Sequence, residues 1–297
     1  MTPREEGFLL LTSQLGNPDR KTLTAAQLRS LEKMVRRMEI ADPSRDLSAA
    51  DLVAVGCGKE LAQRIVALLS EQELLEHYLR QGRKAGCVPL TRVTGGYPVS
   101  VRQKLGPESP GCLWARGDVS LLNMPTISLV GSRDLDKDNE LFAREVGTQA
   151  ALQGFCLVSG NARGADRAAQ DACLAAGGKV ISVIADVLAG RRERENVLYL
   201  SEDGYDQPFS AQRAISRNRV IHCLSGKTLV AQCGYQTGGT WDGSVKNLRF
   251  GWSPLFVFDD HSPAAQLLIQ MGAVGVDFAR LKDFSQLKPD MDNFFDQ

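Results

Sequence analysis

From Thr126 onward the chain alternates short apolar runs with amphipathic stretches, and this alternation restricts the fold more than any other feature. Residues 126–130, 155–159, 179–184, 228–232 and 254–258 are short, mostly apolar runs. A strand inside a parallel sheet is covered on both faces, so its side chains are apolar in both directions. Between these runs, residues 139–153, 165–176, 210–224 and 241–249 read as helices. The pattern predicts an α/β fold: a Rossmann-like, doubly wound, mostly parallel sheet with helices on both sides.

The first 85 residues have another texture. Leu28, Leu31, Met34 and Met38 recur at helical spacing, with Arg29, Lys33, Arg36 and Arg37 between them. Residues 52–65 have the form helix, Gly-x-Gly turn, helix, with glycines at 56 and 58. Such glycines let a backbone approach a phosphate. The segment is similar to a helix-hairpin-helix motif, and a plain helical hairpin without a ligand is the alternative. Residues 1–85 are therefore expected to form a small all-α module. Pro89, Gly95, Gly96, Pro98, Gly106, Pro107, Pro110 and Gly111 then punctuate residues 86–125. This reads as a connecting segment packed on the core, ending in a short helix near 119–123. Residues 126–297 are the expected Rossmann-like core.

Charge and cysteine usage narrow the class of function. Lys and Arg number 35, as do Asp and Glu, so a strongly basic nucleic-acid binder is excluded. A basic cleft is not excluded, because a local field depends on where charges sit. No apolar run reaches the ~18 residues of a membrane span, and residues 1–7 do not open a signal peptide. Cysteines 57, 87, 112, 156, 173, 223 and 233 form no C-x-x-C pair. Reduced, buried thiols of a cytoplasmic protein are expected. His77, His222 and His261 lack metal-ligand spacing, so no metal and no cofactor are expected.

Ligands of a doubly wound sheet bind beyond the carboxyl ends of its strands. After the first run come Gly131, Ser132 and Arg133, a turn, a hydroxyl and a five-donor guanidinium suited to phosphate. After the second come Ser159, Gly160, Asn161, Arg163, Gly164 and Asp166, which open a helix whose first N–H groups are free. In that first turn Asp166 can cap the helix or hold Arg163. After the third lie Arg194 and Asn196; further on, Arg217, Asn218 and Arg219 head a helix. After the fourth, Thr237, Gly238 and Gly239 form another turn into a helix. A single glycine turn of this kind is common in α/β proteins. Together they describe a groove for a polyanion backbone or a pocket for a nucleotide phosphate.

Other familiar sites are excluded. No G-x-G-x-x-G follows the first strand, and Ser225, Gly226 and Lys227 precede a strand, the wrong context for a phosphate loop. Position 157 is Leu, so Ser159 is no nucleophile elbow. His222 lies between Ile221 and Cys223 and reads as a packing residue rather than a base. Trp241 and Trp252 could stack on bases, but read as core aromatics.

The order of these motifs resembles the DprA/Smf family of DNA-processing proteins. Gly131, Ser132 and Arg133 match its G-S-R, residues 159–166 its S-G-x-A-x-G-x-D, and residues 217–225 its R-N-R-x-I-x-x-L-S. Tyr97 and Pro98, the segment 114–118 and the segment 267–273 are similar to further family segments. There are departures. Arg192 and Glu193 replace a Tyr-Pro, Ala214 and Ile215 replace a Phe-Pro, Gln232 replaces a glutamate, and residues 257–259 replace V-P-G. No counterpart of the family's C-terminal winged-helix domain is expected in the stretch after Ala273. The resemblance implies binding of single-stranded DNA, loading of a RecA-type recombinase during DNA uptake, homodimers, and no enzymatic activity. It maps the groove to Gly131, Ser132, Arg133, Ser159, Gly160, Asn161, Arg163, Gly164, Arg217, Asn218 and Arg219, with Arg194 and Asn196 beside it. Two alternatives stay open. One is a nucleotide sensor or nucleotide N-glycosidic hydrolase of the wider superfamily, to whose glycine loop Thr237–Thr240 and Asp242 bear a loose resemblance. The other is an interaction protein in which the glycine turns only shape the sheet.

Overall fold

A computed structural model describes residues 1–36, 46–202 and 204–289. Among the described residues five helices come first: α1 (Pro3–Thr12), α2 (Ala25–Val35), α3 (Ala49–Ala54), α4 (Lys59–Leu69) and α5 (Gln72–Lys84). Thr2, Thr24 and Ser48 each close a reciprocal capping box with the residue three positions on, which fixes where α1, α2 and α3 begin. Leu28 and Leu31 of α2 are buried with Leu52, Ile65 and Leu68 in a core of their own. Met38, expected on the same stripe, and Arg37, expected between its members, lie outside the described residues, as do residues 290–297 of the expected core. Helix α1 is buried on several sides: Phe8 and Leu11 face the helical core, and Leu9 and Leu10 face the sheet. Arg20 ties the two together. It is buried, pairs with Glu71 at 2.7 Å and donates to the Leu10 carbonyl at 2.6 Å.

The sheet has nine strands: β1 (Val88–Thr91), β2 (Cys112–Arg116), β3 (Thr126–Val130), β4 (Cys156–Ser159), β5 (Lys179–Ile184), β6 (Val197–Glu202), β7 (Thr228–Val230), β8 (Leu255–Phe258) and β9 (Val274–Val276). Their spatial order is β1-β2-β6-β5-β4-β3-β7-β8-β9, antiparallel at β1/β2 and β2/β6 and parallel elsewhere. The Rossmann-like, doubly wound sheet read from the sequence is thus present. The chain builds β3, β4, β5 and β6 in one direction, then returns to add β7, β8 and β9 on the other side of β3. The reversal leaves a crevice between β3 and β7, the place where such sheets hold ligands.

Seven further helices cover the sheet: α6 (Val99–Leu105), α7 (Lys137–Leu152), α8 (Ala165–Ala175), α9 (Ala211–Ser216), α10 (Asn218–Leu224), α11 (Gly238–Phe250) and α12 (Pro263–Gln270). Alternation along β3 shows the two faces. Ile127 and Leu129 pack with Phe142 and Val146 of α7, while Val130 packs with Val220 and Ile221 of α10.

Two differences from the sequence reading bear on the site. Residues 86–125 are more than a connection, because they supply β1 and β2. Their prolines and glycines sit mainly in the turns between those strands. The second difference is β6, an apolar run directly after the arginine-rich stretch 190–196. With no helix between β5 and β6, residues 185–196 must run back along the sheet so that β6 can start parallel to β5.

Candidate nucleic-acid interface

Three loops meet at the crevice between β3 and β7. The turn after β3 is locked from two sides. Ser132 N–H donates to the Gln232 carbonyl at 2.9 Å, and the Thr240 hydroxyl donates to the Gly131 carbonyl at 3.0 Å. The Ala165 N–H, at the start of α8, donates to the Ser132 carbonyl at 3.1 Å. Gly164 makes this approach possible: its φ is +84°, and a Cβ there would overlap the Ser132 and Arg133 carbonyls. A cavity of about 520 Å³ opens between the loops. Ser132, Arg133, Arg217, Asn218, Thr237 and Gly239 are among its lining residues.

Arg217 forms a buried part of that lining. Its Nη2 lies 3.9 Å from the Asp166 carboxylate, and both side chains are more than nine-tenths buried. Its Nε and Nη1 are buried and have no hydrogen-bond partner among the described residues. Buried donors are almost always satisfied, so these two nitrogens are an exception. The guanidinium lies on Gly160, where a Cβ would overlap it. Gly160 is therefore needed to leave room for the arginine. Burial pushes the Asp166 carboxyl up from its ordinary range, and Arg217 beside it acts in the opposite direction. Asp166 also accepts the Ala162 N–H at 3.0 Å, which shapes the loop 159–164. The same loop holds Asn161 at φ +63°, a left-handed position that Asn tolerates.

The neighbouring groups complete the electrostatics. Thr237, Gly238 and Gly239 start α11, and the first N–H groups of a helix have no acceptor within it. The Asn218 amide donates to the Gly239 carbonyl at 3.0 Å and fixes that loop against α10. Arg133 lines the cavity and also reaches its outer side, where Arg163 and Arg167 lie. Arg163 does not bond Asp166, as one sequence reading allowed. It pairs with Asp134 at 2.8 Å, with side chains 74% and 87% exposed, so water competes strongly for both.

The structure does not bring every expected residue to this crevice. Arg194 and Asn196 lie at the opposite edge of the sheet. The Asn196 carbonyl accepts the Val180 N–H at 2.9 Å, beside the first residues of β5 and β6. Their placement follows from the return path of residues 185–196. Arg219 leaves the cavity too. It donates to the Glu108 carbonyl at 2.7 Å and pairs with Glu202 at 3.3 Å, towards β6 and β2. His222 is a packing residue: it is buried beside Thr228, and burial pushes it down to about 3. Trp252 is buried against Phe250, and Trp241 is half-buried. Two exposed apolar residues lie at the rim: Ile215, marked in the sequence only as a departure from the family, and Tyr235, which went unnoticed. Tyr235 stands in the tight turn closed by the Gly234–Thr237 bridge. Its place between two glycine-containing segments was the available signal.

Residues 89–281 match the family model described as DNA recombination-mediator protein A. The chain belongs to this family. Membership gives it a DNA-processing, recombination-related role. Among curated relatives, the DNA processing protein DprA of Bacillus subtilis (strain 168) is 26% identical over 257 residues, covering 80% of this chain and 84% of the relative. The DNA processing protein DprA of Streptococcus pneumoniae is 31% identical over 179 residues, covering 56% of this chain and 63% of the relative. The match thus spans less than two thirds of the pneumococcal protein. The X-ray structure of DprA from Streptococcus pneumoniae superposes with a TM-score of 0.72 at 22% identity, over 97% of this chain and 99% of that one. A structure of DNA processing protein A from Helicobacter pylori, solved for its single-stranded DNA binding mode, superposes with a TM-score of 0.56 at 21% identity, over 66% of this chain and 94% of that one. Both likenesses concern the fold. The family therefore accounts for the order of motifs, while the departures at 192–193, 214–215 and 257–259 mark this member as divergent.

Proposed function

We propose that this member binds single-stranded DNA without sequence preference, by its phosphate backbone, at the crevice between β3 and β7, and acts as a recombination mediator. The observation that carries the reading is Arg217: a buried guanidinium with two unpartnered nitrogens, lining a cavity beside Arg133. An anionic oxygen entering the cavity would satisfy donors that water reaches poorly. The relative from Helicobacter pylori, solved for its single-stranded DNA binding mode, supports DNA as the source of that oxygen. Loading of a RecA-type recombinase, a homodimeric state and a cytoplasmic location belong to the same proposal. Light scattering on the purified chain checks the dimer, which a strict monomer contradicts.

The reading does not include catalysis. Cleavage of an N-glycosidic bond passes through an oxocarbenium-like state that needs a placed carboxylate. Of the two carboxylates lining the cavity, Asp166 is buried against Arg217, and Asp134 is exposed to water beside Arg163. Asp242, the other candidate, pairs with Lys246 at 2.8 Å on α11.

Fluorescence anisotropy with labelled oligothymidylate, competed by nucleoside monophosphates, tests the proposal. Binding that oligonucleotides compete and monophosphates do not supports it. Displacement by a monophosphate at equal concentration, or release of free base from one, replaces it with the nucleotide reading.

A further inference from the structure

The edge of the sheet that carries the crevice continues past β6 to β2 and β1. Thr91, the last residue of β1, pairs with Cys112, the first of β2, and Glu202 of β6 ends beside Leu113. Arg92 therefore stands at the same edge as Arg133. Five strand spacings separate β3 from β1, or about 24 Å at roughly 4.8 Å each.

Here the helical segment meets the sheet and encloses a cavity of about 650 Å³. Arg4, Arg29, Lys33, Arg36, Arg92 and Arg102 line it. Glu32 is the one acidic residue of that lining among the described residues. Arg29 also pairs with Glu108 at 3.4 Å, but the two side chains are 45% and 68% exposed, which leaves the pair weak. Positions 29, 33 and 36 are four and three apart, so Arg29 and Lys33 of α2 and Arg36 at its C-cap lie along one side, away from the buried Leu31. Six cations against the single carboxylate of Glu32 in this lining, in a chain of zero net charge, make the local field positive. The spacing of Arg29, Lys33 and Arg36 along a helix suits an extended polyanion better than a compact ligand.

The two cavities share no lining residue, but a third lies between them. Arg219 directly follows Asn218 of the crevice, and it lines an intervening cavity of about 400 Å³ together with Arg92. Arg92 also lines the basic cavity. A strand leaving the crevice towards β1 would pass Arg219, which is held by Glu108 and Glu202, then Arg92 and the cluster on α2.

We infer that Arg4, Arg29, Lys33, Arg36, Arg92 and Arg102 form a second backbone-binding surface, which holds the nucleic-acid strand beyond the crevice. The path rests on the proposed function; the contact rests on the cluster itself. The substitutions R29A, K33A and R36A, combined in the full chain, remove three exposed cations and leave the cores intact. R102A is the single-residue control on the sheet side. Oligothymidylate of about 30 nucleotides, longer than the ~4–16 held by one single-strand module, is the probe, with salt varied.

The triple variant is expected to bind at least tenfold more weakly than the parent at low salt, with a shallower salt slope and an unchanged melting temperature. R102A is expected to weaken binding by a smaller factor in the same direction. Parental affinity and slope in both variants, with R133A weakened, would overturn the inference and leave the crevice reading standing. Weakening by the triple variant with R133A at parental affinity would sink the crevice reading and retain the basic surface.

Discussion

The guanidinium of Arg217 rests on the Cα of Gly160, in space that any Cβ would occupy. Gly160→Ala must therefore shift the arginine. A hydrogen bond to a charged group is worth about 1.5–3 kcal/mol. The variant should bind oligothymidylate roughly ten- to a hundredfold more weakly, while overpacking lowers stability by about 1–3 kcal/mol. Anisotropy and thermal melting check the two effects separately. Parental binding by a folded Gly160→Ala protein would show that Arg217 does not meet the DNA.

Arg194 and Asn196 supply the contrast. They lie at the edge where β5 and β6 begin, across the sheet from the crevice. Arg194→Ala and Asn196→Ala should leave oligothymidylate affinity within about twofold of the parent, apart from a small loss of long-range attraction for the arginine. A tenfold loss in either would mean that the strand wraps around the sheet.

Tyr235 is 55% exposed beside Thr237 at the mouth of the crevice. A base stacked on an aromatic ring contributes about 1–3 kcal/mol. Tyr235→Ala should weaken binding to oligothymidylate and have little effect on a strand of abasic sites. Equal losses on both probes would assign the tyrosine a role in shaping the loop.

His222 sets a pH dependence. Burial, with a lesser contribution from Lys104, pushes its pKa down from 6.5 to about 3. The unfolded chain therefore binds a proton below about pH 6.5 that the native protein refuses until about pH 3. The stability present above pH 6.5 is lost as pH falls through that window, at about 1.4 kcal/mol per pH unit for one proton. Urea unfolding at pH 7, 6 and 5 should show this slope. His222→Gln should lack it, at some cost in stability from the lost packing. An identical pH profile in both proteins would assign acid sensitivity to other groups.

How far the sequence could be read depended on whether a feature was local. β3, β4, β5, β7 and β8 are short apolar runs, and their burial on both faces is written into their own residues. β6 has the same texture, Val197 to Leu200, but it follows β5 without a helix, which breaks the expected alternation. Missing it put Arg194 and Asn196 at the wrong edge. The crevice residues from 131 to 133 and from 237 to 240 were legible because glycine turns at strand ends have a fixed place in such a sheet. The role of Gly160 was not legible, because it depends on Arg217, distant in sequence. The convergence of Arg4, Arg29 and Lys33 with Arg92 and Arg102 was equally hidden, since it arises only when α2 docks beside the turn at residues 106–108.

The most direct test of the account is the salt dependence of oligothymidylate binding by the full chain and by Arg133→Ala. If phosphates are held at the crevice, log affinity falls linearly with log salt, by about 0.7 per phosphate neutralised on a single strand. Arg133→Ala should bind more weakly for every base composition, with the slope reduced by about one contact. Binding that ignores salt, or an Arg133→Ala protein with the parental slope and affinity, would contradict the claim that these loops hold a DNA backbone.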